Sequence, residues 1–444
     1  MFFALFAGMV SAVLPWWFTL VLFSPPLIIA AGSRWPLLAM LITMLFVFGV
    51  LPLGGPRFVD VIVMSFVFFM IAVYWRQIPE VFARYRRMWV FLGLLMLWTG
   101  LMVVYAHFYR RNQMAWIYEE AMSLAYWLVL IPAALIAYNE KTATWALRLL
   151  ILMSVILSLL SITQALTGMR LSLSSNARVE AMDAISGGVE GISRSFVPGI
   201  VLVMFSFLTA LANLLRRSGL TAVWVVVLLA TAGALYVSFG RAVWAAMGVG
   251  TLLVAILSGR EALKRFALVG LPLIVLAACL IWIVKPDVIT GIVTRILSVR
   301  TEGAGLSSSL GWRMAENHFA RLSILSNPFI GIGPGGEYKP RLIDWRAFSA
   351  QTHYIHNGYF FIMLKIGLIG FILYMMNYLH IMWRCMREWR LPEVNTSSRI
   401  ALLAVMLLTL LLNFTQPEFM TGSTIICFAV LAPCILTSRP KLAV

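Results

Sequence analysis

The sequence predicts an all-α polytopic membrane protein, and three observations support this fold class. Hydrophobic residues make up 62% of the 444-residue chain, charged residues make up 11%, and the mean hydropathy is +0.94. Soluble domains are about 45–50% apolar and about 25% charged. Apolar runs long enough to cross a bilayer recur along the chain, and they are continuous rather than alternating, which excludes a transmembrane β-barrel.

These runs predict 12 to 14 transmembrane helices. The first 31 residues are apolar but are interrupted by prolines, so they could form one kinked span or two short ones. The later runs lie at roughly 35–51, 58–75, 88–105, 119–138, 145–167, 195–215, 220–238, 241–258, 266–284, 355–383, 398–412 and 419–436. We therefore divide the chain into N-terminal transmembrane helices (1–284), one long polar loop (285–354) and C-terminal transmembrane helices (355–444).

The distribution of basic residues predicts the orientation. Short links on one side are rich in arginine and lysine, for example at 84–87, 216–217, 260–265 and 384–390, which places them in the cytoplasm. Alternation then puts the loop 285–354 on the outer face. This loop is itself basic, with Lys285, Arg295, Arg300, Arg313, Arg321, Lys339, Arg341 and Arg346 against Asp287, Glu302, Glu316, Glu337 and Asp344. An outer basic loop favours an anionic ligand, either lipid headgroup phosphates or a phosphate-bearing substrate.

Two segments of the outer loop have local signatures. "SLGWRMAENHFARLSIL" predicts a helix on the membrane surface or over a cavity. Its expected apolar face holds Trp312, Ala315, Phe319 and Leu322, and its expected polar face holds Arg313, Glu316, Asn317 and Arg321. The following "NPFIGIGPGGEYKP" lacks the Gly-Lys-Ser/Thr of a nucleotide loop and predicts a turn-rich, mobile lid.

A pair of histidines follows this loop, at the start of an apolar run. His353 and His356 would share a face if the segment were helical, but a zinc site needs three or four ligands, and no carboxylate or cysteine is spaced to complete one. We therefore expect no metal. A helix N-terminus favours a neutral imidazole, so His356 is the candidate general base, with Asn357 orienting it or holding a substrate hydroxyl. An interfacial histidine satisfied by water is the alternative.

Two further arginines lie where predicted spans meet the outer face. Arg194 stands in "GISRSFVPG" and Arg241 in "YVSFGRAVW". Either could extend to lipid headgroups, but Arg241 has apolar sequence on both sides, where a charge is costly unless it is paired or faces a wet cavity. The pattern favours a functional role for Arg241.

The ordered set "SFGRAVW", "GWRMAENHFARLSILSNPFIGIGPGG" and "HNGYFFIMLKIGLIGFILY" resembles the O-antigen ligase family, whose relatives include O-antigen polymerases and pilin oligosaccharyltransferases. The resemblance covers roughly residues 190–380. It implies a GT-C-like multi-pass glycosyltransferase of the bacterial inner membrane with its active site facing the periplasm. The enzyme would transfer a glycan from undecaprenyl diphosphate to a hydroxyl of lipid A-core oligosaccharide, without metal or other cofactor, and with inversion.

The resemblance also implies roles for individual residues. Arg241 matches the family's span arginine, Arg313 its loop arginine and His356 the histidine of its His-Asn motif; Arg194 is a weaker match. We predict His356 as catalytic and the three arginines as ligands of the diphosphate. Asn357, His353, Arg321 and Glu316 are the candidates for substrate positioning. The family often has glutamate where this chain has Lys365.

Other functions are compatible with the same pattern. A polymerase would share the donor and use a second lipid-linked glycan as acceptor, and a pilin transferase would use a serine or threonine hydroxyl. A transporter would explain the spans without chemistry, but transporters usually place ionisable residues at mid-membrane. The expected partners are the lipid-linked donor, the lipid acceptor and membrane lipids, with no nucleic acid.

Overall fold

The structure is a computed structural model that describes residues 35–50, 56–171, 178–180, 193–196, 198–218, 220–284, 286–297, 309–340, 352–388 and 396–436. The predicted span or spans of the first 31 residues lie outside this set, as do Arg300, Arg341 and Arg346 of the outer loop. We number the helices and strands in chain order.

The described residues are predominantly helical. The helices are α1 (Pro36–Val47), α2 (Pro56–Val73), α3 (Ile78–Arg84), α4 (Arg86–Val104), α5 (Met114–Ala125), α6 (Leu130–Ile136), α7 (Glu140–Thr167), α8 (Ile200–Arg216), α9 (Thr221–Val237), α10 (Arg241–Leu257), α11 (Arg260–Arg265), α12 (Leu271–Val284), α13 (Pro286–Leu297), α14 (Ser309–Ser326), α15 (Gly358–Glu388), α16 (Thr396–Leu412) and α17 (Gly422–Leu436). The all-α prediction is confirmed. A short antiparallel strand pair, β1 (Arg178–Glu180) with β2 (Arg194–Phe196), was not predicted.

Within the described residues, five helices are long and apolar enough to cross a membrane, and a sixth span results if the pair Phe58–Val73 and Trp75–Arg84, bent by 72°, counts as one. Six shorter apolar helices of 10–17 residues accompany them. The chain is therefore a multi-pass membrane protein. The number of 12 to 14 spans stays a prediction.

Local sequence explains where the longest unbroken helix begins and ends. The side chain of Asn139 accepts a hydrogen bond from Lys141 N at 2.9 Å, which satisfies a first-turn donor of α7. Gly168 ends the helix in the left-handed region, at φ 68°, where a glycine has no steric cost.

The N-terminal and C-terminal helices pack into one core. Helix α8 lies against α7, α9, α10 and α16, while α4 packs against α15 and α6 packs against α17. Most side chains of α8, α16 and α17 are buried, whereas the described side chains of α12 are exposed. The outer-loop helix α14 packs against α15, and this contact builds the candidate site.

Candidate active site

Glu316 is the centre of a buried polar cluster between α14 and the segment before α15. Its side chain is only 2% exposed, and it accepts hydrogen bonds from Lys339 Nζ at 2.8 Å and from Trp312 Nε1 at 3.0 Å. Burial alone would raise the pKa of this carboxyl, but the hydrogen bonds and charges of His356 and Lys339 outweigh burial and lower it. Glu316 is therefore a stable carboxylate.

His356 contacts this carboxylate twice. Its ring Nδ1 lies 2.8 Å from Glu316 Oε2, and its backbone N donates to the same oxygen at 3.2 Å. Since an ionised carboxylate can only accept, Nδ1 carries the proton in this contact, and Nε2 is the nitrogen that can act as an acceptor. The His356 side chain is 23% exposed. The cluster thus connects a buried carboxylate to an accessible imidazole.

Asn357 and Gly358 determine where the next helix starts. The Oδ1 of Asn357 accepts hydrogen bonds from the backbone N of Tyr359 and of Phe360, both at 3.1 Å, so Asn357 is the N-cap of α15. Gly358 N donates to Asn413 O at 2.8 Å, and a Cβ at Gly358 would lie 1.9 Å from Asn413 Oδ1. The close approach requires glycine and fixes His356 just outside the helix.

The structure corrects the predicted relation of the two histidines. They do not share a helix face, because α15 begins at Gly358, after both of them. The His353 ring instead stacks on Trp116 at 4.3 Å between centroids. Burial, together with the charges of Lys365 and Lys339, lowers the pKa of His353 to about 4, so this imidazole is neutral.

The glycine-rich loop is held in place, which contradicts the predicted mobile lid. Gly335 N donates to Glu120 Oε2 at 2.6 Å, and Lys365 Nζ donates to Gly336 O at 2.7 Å. Glu120 and Lys365 also form an ion pair with 3.0 Å between Oε1 and Nζ, and both side chains are at most 5% exposed. Asn112 Nδ2 adds hydrogen bonds to carbonyls within the loop. A segment with these contacts has too many anchors to open as a lid.

The predicted faces of α14 are also corrected. Glu316 was expected on a polar face offered to solvent or substrate, but it is buried on one side of α14 with Trp312 and Ala320, each four residues from it. Leu322 was expected on the apolar inner face, but it is 51% exposed. The hydrophobic pattern assigned these two residues to the wrong faces, because the buried face of α14 includes a charged residue, Glu316, that is paired with Lys339.

Arg194 and Arg241 belong to a second group at the turn between α9 and α10. Arg194 Nε donates to Ser238 O at 3.0 Å, which brings its side chain to the turn that precedes Arg241. Phe239 in this turn has φ 45°, a strained value for a phenylalanine, and its buried ring packs against Tyr236 and Trp244. Aromatic packing therefore holds the turn in shape.

Arg241 is the first residue of α10. The N-cap, Gly240, provides no side-chain hydrogen bond, and a basic residue at a helix N-terminus opposes the helix dipole. The same arrangement of backbone N–H groups and a guanidinium favours an anion. Arg313 lies half-buried on α14 beside Trp312, and Arg321 is exposed about two turns further along. Convergence of these arginines on His356 stays a prediction.

Residues 224–375 match a family model described as O-antigen ligase. The matched segment is similar to this family and covers less than half of the chain. It contains Arg241, Arg313, Glu316, His356 and Lys365, whereas Glu120 and Arg194 lie outside it. No curated protein matches the chain.

Two functional candidates in and around the matched segment were missed by the sequence analysis. Lys339 is 1% exposed, pairs with Glu316 and lies over the Trp312 ring, with 5.0 Å from Nζ to the centroid. Glu120 pairs with Lys365 from a helix 245 residues earlier in the chain, and this pair gives a physical reason for lysine at that position. The sequence showed Lys339 as one of the basic residues of the outer loop, but nothing in it indicated the pairing with Glu316.

Among the described residues, no group of three or more His, Cys, Asp or Glu side chains could hold an ion.

Proposed function

We propose that this chain is a glycosyltransferase that uses His356 as its general base. A function of the O-antigen ligase or polymerase type is supported by the family match at residues 224–375. The observation that carries the residue assignment is the 2.8 Å contact between His356 Nδ1 and the buried Glu316 carboxylate. Such a contact fixes the imidazole tautomer and orientation, which a base needs and an interfacial histidine does not.

The proposed step is an in-line displacement at the anomeric carbon of the donor. His356 Nε2 takes the proton of the acceptor hydroxyl as its oxygen forms the new glycosidic bond. The bond from the anomeric carbon to the phosphate oxygen breaks, and the electron pair leaves with the diphosphate. The anomeric configuration is inverted. Glu316 stabilises the imidazolium that forms, and Lys339 and Trp312 hold Glu316 in position.

The arginines are proposed to bind the diphosphate. Negative charge develops on this leaving group as the glycosidic bond breaks, and guanidinium groups can bind it with paired, charge-assisted hydrogen bonds. The position of Arg241 at the N-terminus of α10 supports an anion there. We assign Arg313 and Arg194 to the same ligand, with positive charge from arginine taking the place of a metal.

The substrates follow from the family and the orientation. The O-antigen ligase family implies a lipid-linked glycan and a lipid acceptor, and we propose undecaprenyl diphosphate as the donor lipid and lipid A-core oligosaccharide as the acceptor. The reaction would take place on the periplasmic side of the bacterial inner membrane, because the basic links are assigned to the cytoplasm.

The test is glycan transfer by the purified, reconstituted chain in the presence of EDTA. Wild type should transfer glycan from the undecaprenyl diphosphate donor to lipid A-core. His356→Ala should reduce the rate by about 10²–10⁴-fold, the usual contribution of a general base. Arg241→Lys and Arg313→Lys should also reduce transfer, because lysine cannot form the bidentate contact.

His318→Ala is the matched control, because His318 lies exposed on the same helix as Glu316, and it should leave the rate unchanged. If wild type extends lipid-linked glycans but not lipid A-core, the enzyme is a polymerase with the same site. Full transfer by folded His356→Ala protein would refute the base assignment.

A further inference from the structure

The outer-loop helix α14 does not rest on top of the membrane helices but runs alongside one of them. Near the middle of α14, Glu316 contacts His356, just before α15. Past its end, Leu368 N donates to Pro328 O at 2.9 Å, ten residues into α15. With a rise of about 1.5 Å per residue, the turn after α14 therefore lies about 15 Å along α15 from its N-terminus.

A break in α15 receives this turn. Gly367 has φ 69° and ψ −177° inside the helix, and the backbone groups around it pair with the turn: Ile332 N donates to Leu364 O at 2.8 Å. A Cβ at Gly367 would lie 2.1 Å from Phe329 O, and a Cβ at Gly331 would lie 2.4 Å from Leu364 O. Only glycine permits either approach, so turn and break fit each other closely.

A neighbouring helix gives an independent measure of depth. Trp98 Nε1 donates to Ile366 O at 2.9 Å, beside the break. Trp98 lies eleven residues before the outer end of the candidate span Arg86–Tyr109, which corresponds to about 16 Å. A headgroup layer is about 5–7 Å thick, so both measures place the turn well below it, inside the hydrocarbon of the outer leaflet.

The outward side of this segment is mostly apolar, and His318, between Met314 and Leu322, is the exposed polar residue on the same face near the upper end. Met314, Leu322, Leu325 and Phe329 are between 51% and 65% exposed and are spaced as one stripe along the segment. The stripe continues onto Leu368 and Ile369 of α15, which are joined to the turn by backbone hydrogen bonds. Arg321 flanks the stripe, and because helical side chains point toward the N-terminus, its guanidinium extends toward the headgroups.

We propose that residues 314–331 form a re-entrant segment whose outer face contacts the acyl chains of the outer leaflet. Non-helical backbone at membrane depth requires partners within the protein. The turn has them in α15, and the rest of the glycine-rich loop has them in Asn112, Glu120 and Lys365. The proposal does not depend on the reaction that the site catalyses.

The experiment measures the depth of nitroxide labels by electron paramagnetic resonance. The exposed Cys279 is first replaced by serine; the other cysteines are buried. Labels at Leu325→Cys and Phe329→Cys are compared in phosphatidylethanolamine–phosphatidylglycerol vesicles with a lipid-facing reference at Leu97→Cys and an aqueous reference at Arg110→Cys. Oxygen, which concentrates in hydrocarbon, and a water-soluble nickel chelate serve as collision partners.

Both segment labels should show the high oxygen-to-nickel ratio of the Leu97 label, several-fold above that of the Arg110 label. A ratio equal to that of Arg110 would overturn the proposal. Gly331→Ala should move the Leu325 label toward the aqueous value, while Gly93→Ala, which has open space around its Cβ, should not. An unchanged depth in folded Gly331→Ala protein would overturn the assignment of the break as the anchor.

Discussion

Two buried ion pairs flank the candidate site, and they differ in what else the carboxylate contacts. In one, Glu316 pairs with Lys339 at 2.8 Å; in the other, Glu120 pairs with Lys365 at 3.0 Å. All four side chains are at most 5% exposed. Glu316 also contacts the ring of His356, which is 23% exposed, whereas Glu120 also accepts from the backbone of Gly335.

This difference separates a pair that supports chemistry from a pair that supports architecture. A buried ion pair is rarely stabilising in itself, because desolvation offsets the attraction. The Glu316 pair therefore requires a reason other than stability, and orientation of an accessible imidazole is one. The Glu120 pair contacts main chain of the glycine-rich loop and a lysine of α15, so its role is to connect three segments.

The largest effect is expected from Glu316→Gln. The neutral amide would not stabilise the imidazolium of His356 and would leave Lys339 buried without a counter-charge, so both transfer and stability should fall. The combined Glu316→Gln and Lys339→Met variant removes the buried charge and should recover thermal stability. Transfer should remain about 10²–10⁴-fold below wild type. The measurements are the rate of glycan transfer and the melting temperature in detergent.

Recovery of transfer in the double variant would contradict the assigned role of Glu316. The melting temperature is the internal control. A double variant that melts at the wild-type temperature but does not transfer glycan has lost activity without losing stability.

A smaller and purely structural effect is expected at the second pair. Glu120→Gln alone leaves Lys365 buried and unpaired, which typically costs about 3–5 kcal/mol. The combined Glu120→Gln and Lys365→Met variant should recover most of the stability and, unlike the first double variant, most of the transfer. Thermal unfolding and glycan transfer of the same preparations test this. Persistent loss of transfer in a stable double variant would place this pair in the reaction as well.

The all-α class and the resemblance to the O-antigen ligase family could both be recognised from the sequence, because both depend on local sequence patterns. Continuous apolar runs define membrane helices, and the short motifs around Arg241, Arg313 and His356 are contiguous in the chain. The N-cap role of Asn357 was likewise within reach, since a polar residue precedes the apolar run.

The contacts that define the site could not be predicted in this way. Glu120 and Lys365 are far apart in sequence, and nothing local marks them as partners. Glu316 was expected on a helix face offered to solvent or substrate, because periodicity cannot distinguish an exposed carboxylate from one with buried donors. The glycine-rich loop was predicted to be mobile for a related reason. Glycines in a sequence indicate a turn, but the close packing of this turn against Gly367 is visible only in the folded structure.

A third prediction concerns His353, which lies between the two pairs. Its pKa is about 4 in the fold and 6.5 in an unfolded chain, so the unfolded state binds a proton first as the pH falls. Stability should therefore decrease from pH 6.5 toward pH 4. His353→Phe keeps a ring on Trp116 and should remove roughly 1–2 kcal/mol of the loss between pH 6.5 and 5. Melting temperatures across this range measure the difference.

His318→Phe, at an exposed position, should leave the pH dependence of stability unchanged. Parallel curves for wild type and His353→Phe would show that the pKa of His353 is not lowered in the fold and that the two lysines do not act on it.

The smallest effect is expected at Asn357, where capping and substrate binding can be separated. Asn357→Ala removes the acceptor for Tyr359 N and Phe360 N and should cost about 1 kcal/mol. Asn357→Asp keeps the acceptor and should retain the stability. If Asn357→Asp also transfers glycan at the wild-type rate, the residue serves α15 alone, like the Glu120 pair. If Asn357→Asp is stable but transfers glycan slowly, the amide NH₂ of Asn357 contacts substrate. Asn357 then supports the reaction, as Glu316 does.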